Sequence, residues 1–254
     1  MSRIKISAAL IARNESTNIS DAIKSLSFAD QIVVADTGST DDTIEIARKL
    51  GAEVHSVKFE GFGKTKNKAL DYCRGDWVLF IDADERVTPE LAEKIIKAAD
   101  NESSSAGFLI NRLTYFLGKP VRHSGWYPDY ILRFFKRESG RFSSNLVHEW
   151  VKVEGAVDKL EGLLLHYSYK NLDQYLDKLN EYSSLSAREM FEKGKKFNIL
   201  DPVFRPVLIF LKMFVFKAGF LDGLNGFILA VLSSYHVFIK YVKLYHLRGS
   251  GDYS

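Results

Sequence analysis

Three apolar runs early in the chain, residues 6–12, 32–35 and 77–81, lack the polar alternation of a strand with one wet face. Such runs predict parallel strands covered on both sides. Each empties into a polar cluster: Arg13-Asn14-Glu15-Ser16 after the first, Asp36 through Asp42 after the second, and Asp82-Ala83-Asp84-Glu85 after the third. Between them apolar residues recur at helical spacing, as Ile19, Ala22, Ile23 and Leu26 and then as Ile44, Ala47 and Leu50, each set preceded by side chains able to cap a helix. Residues 52–57 supply another short strand, and Gly61-Phe62-Gly63 opens a helix over about residues 64–72. This βαβα order predicts an α/β fold built on a parallel sheet with right-handed crossovers.

Ligands in open α/β sheets bind outside the carboxyl ends of the strands, which is where Asp82 and Asp84 fall. Hard carboxylate oxygens at this spacing suit Mg²⁺ or Mn²⁺ on a diphosphate, the phosphates filling other coordination positions. Alone, Asp-x-Asp carries little, since a chain this long holds about one by chance, and an acidic turn capping the next helix is the competing reading. Lys64, Lys66 and Lys68 crowd the start of their helix, where exposed N–H groups and the dipole already favour an anion. They predict a phosphate or an acidic neighbour there, or simply a solvated basic face.

Taken together, Ala9-Leu10-Ile11-Ala12-Arg13-Asn14-Glu15, Ala35-Asp36-Thr37-Gly38-Ser39-Thr40-Asp41-Asp42-Thr43 and Asp82-Ala83-Asp84-Glu85 resemble, in order and spacing, the successive nucleotide-binding motifs of family 2 glycosyltransferases. The resemblance covers roughly residues 4–170 and implies a GT-A-like, Rossmann-related, mostly parallel sheet flanked by helices. In finer detail, Phe62-Gly63-Lys64-Thr65-Lys66-Asn67-Lys68-Ala69-Leu70 followed by Gly75-Asp76-Trp77 resembles the bacterial branch that adds a β-linked glucose to the lipopolysaccharide inner core. The resemblance implies that Ala12, Asn14 and Glu15 line the nucleotide pocket, that Asp36 contacts the uracil or ribose, that Asp82 faces the ribose, and that Asp84 ligates the metal, with His166 as a further ligand. Lys64 and Lys68 would face the donor phosphates. The implied reaction is metal-dependent inverting transfer from a nucleoside diphosphate sugar, UDP-glucose or similar, to a lipid-linked glycan. Two carboxylates compete for the base that deprotonates the acceptor: Glu149, beside His148, and Asp129, within the aromatic segment Gly125-Trp126-Tyr127-Pro128-Asp129. Glu149 matches the family's base better in position. Transfer to a polyprenyl phosphate is one alternative, and a non-catalytic sugar-nucleotide-binding or scaffold protein is another.

The 254 residues, 46% hydrophobic and 26% charged, are ample for a sizeable core. A net charge of +3 and the lack of a recognition-helix pattern argue against a nucleic-acid partner. The lone Cys73 fits a reducing compartment, and Met1-Ser2-Arg3-Ile4-Lys5 runs into the first strand without a secretory apolar segment, so a cytoplasmic location is expected. Domains are expected at 1–170, catalytic, and 171–254, helical. In the second, residues 171–193 predict an amphipathic helix, and residues 203–216 and 223–239 predict Phe- and Leu-rich helices flanked by Lys and Arg. Neither is a clean apolar stretch of about 20 residues. Peripheral docking on the inner membrane's cytoplasmic face is the expected role; a hairpin buried on the catalytic domain or in a dimer, or one spanning helix over residues 219–239, remains open.

Overall fold

The computed structural model describes residues 5–101, 104–143, 150–169 and 171–249. The chain divides into two compact units, one from Met1–Leu113 and Asp129–His166, the other from Thr114–Pro128 and Tyr167–Ser254.

The first unit is α/β. Strands β1 (Ile6–Ala12), β2 (Gln31–Asp36), β3 (Glu53–Ser56) and β4 (Trp77–Phe80) pair in parallel in the order β3-β2-β1-β4. Helices α1 (Ile19–Ser25), α2 (Thr43–Lys49) and α3 (Phe62–Asp71) connect them. The largely apolar runs have a direct cause. Ala8, Leu10, Trp77 and Leu79 point into one core cluster, whereas Ala9, Val33, Val78 and Phe80 point into a second on the opposite face. With both faces covered, no position of these strands has to be polar.

Beyond β4 the sheet turns antiparallel. β8 (Asp129–Lys136) pairs with β4 and β6 (Ser105–Phe116) with β8, while β5 (Glu85–Val87) pairs with β11 (Ala156–Tyr169). The short strands β7 (Lys119–Pro120), β9 (Gly140–Phe142) and β10 (Val151–Val153) complete the set. The parallel core was legible from the runs, and the antiparallel half was not predicted, because its strands pair across long excursions of the chain and carry inward-facing polar residues such as Asn111 and Arg133. Helix α4 (Pro89–Asp100) starts on Thr88, whose hydroxyl accepts from the Leu91 N–H at 3.3 Å, and its Leu91 and Ile95 enter the first cluster. It packs close to β11 at Gly162, where φ is +98° and a Cβ would lie 2.7 Å from the Leu91 Cα. Gly162→Ala should therefore cost about 1–3 kcal/mol, measured as a lower thermal midpoint.

The second unit is mainly helical: α5 (Leu172–Glu192), α6 (Leu200–Phe210) continued by a π-helical turn (Leu211–Phe216), a 3₁₀ turn (Gly219–Asp222), and α7 (Gly223–Gly249). Asn171 caps α5, accepting from the Gln174 N–H at 2.9 Å. Tyr175 and Leu179 of α5 meet Leu229 of α7, and Ala187 meets Tyr241 and Leu244. Helix α7 outruns the 223–239 segment delimited by pattern, because Tyr241, Val242, Leu244 and Tyr245 carry its apolar character onward. By length and composition the stretch Gly219–Arg248 is sufficient to cross a membrane.

Candidate active site

The register of the parallel strands assembles the site. Because Ala12 lies opposite Asp36, the loops leaving β1 and β2 run side by side and are laced by hydrogen bonds. Asn14 sits at φ 55°, a region Asn tolerates better than most residues. Its N–H donates to Ser39 Oγ at 3.0 Å and its Oδ1 accepts from the Thr40 N–H at 2.8 Å. The Ala12 carbonyl accepts from the Thr37 N–H at 3.0 Å, and the Glu15 N–H donates to Thr43 Oγ1 at 2.8 Å. Asp36 is buried at the strand end, where its Oδ2 accepts from the N–H groups of Gly38 (2.9 Å) and Ser39 (3.1 Å). The Thr43 hydroxyl and the Ser16 N–H hold the Asp41 carboxyl down to about 2.

The third motif forms a closed turn. The Asp82 N–H donates to Glu85 Oε2 at 2.8 Å, and the Glu85 N–H returns to the Asp82 carbonyl at 2.9 Å. Glu85 begins β5, and the antiparallel register places His166 of β11 opposite it. One residue earlier in the chain, Asp84 Oδ2 lies 3.4 Å from His166 Nε2. Both side chains remain partly accessible.

Beneath this turn lies a chain of alternating charges. Lys66 Nζ reaches Asp82 Oδ1 at 3.1 Å, and Arg133 Nη2 reaches Asp82 Oδ2 at 2.5 Å. Arg133 also approaches Glu85 Oε1 at 3.4 Å, as does Arg112 at 3.4 Å. Arg112 in turn grips Asp129 Oδ2 with Nε at 2.9 Å and Nη2 at 2.7 Å. Glu85 is 0% exposed and Lys66 3%. Desolvation disfavours charge on Asp82, but the Arg133 guanidinium and the Lys66 ammonium outweigh it and hold the carboxyl far below the ordinary carboxylate range.

These positions differ in what they engage. Lys64 is exposed, and Lys68 pairs with Glu60 at 2.7 Å on the surface. Lys66 is the lysine of that helix turned inward, which its spacing to the buried Ala69 and Leu70 reflects. Asp129 is held by Arg112, and its N–H donates to Asn111 Oδ1 at 3.1 Å. Trp126 and Tyr127 belong to the second unit. Glu149 and His148 lie outside the described residues. Glu85, Arg112 and Arg133 were not singled out from sequence. Glu85 had a signal, as the last member of the third motif, whereas the arginines sit on strands with no local pattern to mark them.

Asp84 and His166 fit a divalent cation as a pair. Their facing atoms are 3.4 Å apart, close to the roughly 3 Å between adjacent ligands of an octahedral ion bound at about 2.1 Å. One hard oxygen and one imidazole nitrogen suit a metal such as Mn²⁺. Among the described residues no group of three or more such side chains gathers, so the remaining positions would fall to phosphate oxygens and water, the usual arrangement where substrate phosphates take part.

A nucleotide-type α/β sheet ending in these three motifs defines a class of sugar-transferring proteins, and comparison with known proteins gives the family. Residues 7–148 match the model of glycosyl transferase family 2, and the chain belongs to that family, with the GT-A-like α/β fold expected of it. It is 31% identical to an uncharacterised glycosyltransferase of Rickettsia typhi, over 96% of this chain and 87% of the relative. It is 30% identical to the lipopolysaccharide core biosynthesis glycosyltransferase LpsC of Rhizobium meliloti, over 96% of this chain and 93% of the relative. Among solved structures, glucosyl-3-phosphoglycerate synthase from Mycobacterium tuberculosis in complex with Mn²⁺, UDP and phosphoglyceric acid is similar at a TM-score of 0.47 and 22% identity, over 68% of this chain and 73% of that one.

Proposed function

We propose that this protein is an inverting transferase that moves a sugar, glucose or a close relative, from a nucleoside diphosphate onto a lipid-linked glycan such as the lipopolysaccharide core, at the cytoplasmic face of the inner membrane. The observation that carries the reading is the third motif: an accessible Asp84–His166 pair beside an Asp82 whose charge is already balanced by Lys66 and Arg133. Asp82, fixed from below, would accept hydrogen bonds from the ribose hydroxyls, and the laced loops at Ala12, Asn14, Glu15 and Asp36 would hold the nucleoside. Lys64, exposed, and Lys68, paired with Glu60, would add long-range attraction for the diphosphate. Mg²⁺ or Mn²⁺ held by Asp84 and His166 would supply the positive charge that stabilises the departing diphosphate.

In the transfer step the acceptor hydroxyl oxygen attacks the anomeric carbon on the face opposite the diphosphate. The bond from that carbon to the phosphate oxygen breaks with its electron pair leaving on the diphosphate, and the hydroxyl proton passes to a carboxylate. Glu149 is the base in this reading. Asp129 is better explained as the far anchor of the Arg112–Glu85 chain, since two guanidinium hydrogen bonds already converge on its Oδ2. Support for the acceptor class comes from the relationship to LpsC over nearly the full chain.

The test is diphosphate release by purified protein against a panel of nucleotide sugars, with and without lipopolysaccharide-core acceptor. Glu149→Gln keeps shape but cannot take the proton, so kcat should fall by about 10²- to 10⁴-fold with donor affinity nearly constant. If Asp129→Asn suppresses kcat and Glu149→Gln does not, the base has been assigned to the wrong carboxylate.

A further inference from the structure

Helix α7 has two apolar faces. The inner face, with Leu229, Tyr241 and Leu244, is buried against α5. The outer face runs from Leu224 through Phe227 and Val231 to Phe238, Val242 and Tyr245, at steps of three, four and seven residues that keep one side of a helix, and every one of these side chains is exposed. Leu224 is 71% exposed and Tyr245 61%. Helix α6 and the π-helical turn extend the surface with Phe204, Leu208 and Phe216. So large a contiguous apolar face is not left to water without a partner.

The charges around it choose the partner. Between residues 197 and 249 the only acids are Asp201 and Asp222. Asp201 pairs with Arg205 at 2.5 Å, and Asp222 accepts from the N–H groups of Arg122 and His123 at 3.1 and 2.9 Å. The exposed cations Lys195, Lys196, Lys212 and Lys217 therefore set the sign of the surface. Apolar side chains bordered by cations complement an anionic bilayer, the apolar part entering the acyl boundary and the lysines meeting phosphate.

The inner face decides the geometry. Along the length of α7 lies α5, which exposes Asp173, Asp177, Lys178, Glu181, Arg188 and Glu189. Lys243 is tied to α5 as well, donating to Asn180 Oδ1 and Ser184 Oγ at 2.7 Å each. A spanning α7 would carry these charges into hydrocarbon, where each is costly, or would have to shed α5. We propose that α6 and α7 lie flat in the interface of an anionic membrane as a monotopic wedge, and that α7, despite its length, does not cross. This deepens the membrane partner named above and rests on that reading. Lys240 and Lys243, also on α7, are half-buried and stay out of this cationic border. Lys243 holds α5, and burial lowers the pKa of both.

The full chain should cosediment with vesicles of equal parts phosphatidylcholine and phosphatidylglycerol. Leu208→Glu with Leu224→Glu, both at exposed positions, should weaken this binding by about tenfold or more at unchanged thermal midpoint. Lys212→Glu with Lys217→Glu should weaken it in a salt-sensitive way. Orientation is read from fluorophores placed singly at Leu224→Cys and Tyr245→Cys, about 30 Å apart along a straight helix, the native Cys73 being buried. In-plane docking predicts equal quenching of both by shallow spin-labelled lipids confined to the outer leaflet. Quenching at one end alone means that α7 spans and overturns the proposal. Unchanged binding of the double leucine variant also overturns it, as does a wild-type chain that ignores vesicles and forms a dimer which this variant dissolves. Diphosphate release without vesicles is a separate readout: its absence from the unsubstituted chain counts against the transferase reading alone.

Discussion

Asp84→Ala is expected to lower sugar transfer by on the order of 10³-fold while leaving the fold intact. The proposed role of Asp84 is to supply the hard oxygen of a two-residue donor set, and losing metal-derived stabilisation of the departing charge is worth several kcal/mol at about 1.4 kcal/mol per tenfold. The structure gives reason to expect a clean effect. Asp84 is partly accessible and faces His166, whereas Asp82, two residues earlier, is locked between Lys66 and Arg133. The two aspartates should thus respond differently: alanine at 84 should abolish the manganese dependence of nucleoside diphosphate binding, measured calorimetrically, while alanine at 82 removes the carboxylate that two buried cations share and should lower stability as well as affinity. His166→Ala should resemble the first and not the second. Wild-type turnover of Asp84→Ala in excess chelator would remove the metal from the proposal.

The resemblance already gave Asp82 to the ribose and Asp84 to the metal, but the lock that Lys66 and Arg133 place on Asp82 was beyond the reach of the sequence. Both aspartates stand in one short motif, and the runs before it were legible because a strand covered on both faces is largely apolar, as the opposite placement of Leu79 and Phe80 illustrates. The positions of the motifs followed from the ends of those runs. What surrounds them did not. Arg112 and Arg133 come from β6 and β8, antiparallel strands whose partners lie across long loops, and nothing local says that a strand arginine turns inward. Lys66 was hidden among three lysines, although its spacing to Ala69 and Leu70 marks the buried side of α3. His166 was reached through family resemblance, and the pairing of β5 with β11 supplies the physical reason it stands beside Asp84. In the second unit the Phe- and Leu-rich segments were legible, but the full length of α7 and its two distinct apolar faces depend on where α5 packs.

Glu85→Ala should destabilise the first unit strongly, by about 3–5 kcal/mol. Removing one partner of a buried ion pair leaves the other charged and desolvated, and that penalty exceeds what the pair itself contributes. Glu85 is fully buried, with Arg133 and Arg112 each at 3.4 Å, and its Oε2 also accepts the Asp82 N–H that closes the motif turn. At roughly 2–4 °C per kcal/mol for a domain of this size, the thermal midpoint should fall by about 6–20 °C. The measurement belongs near neutral pH. Because the Asp82 carboxyl is held far below its ordinary 3.8, the stability it contributes is fully present above that value and is lost as the pH falls below it. A second substitution separates charge imbalance from lost packing. Glu85→Ala combined with Arg133→Met removes one anion and one cation together, so it should recover part of the lost midpoint if uncompensated charge is the cause. Strict additivity of the two substitutions would mean that Glu85 stabilises the turn through the Asp82 N–H alone, and that the arginines are satisfied without it.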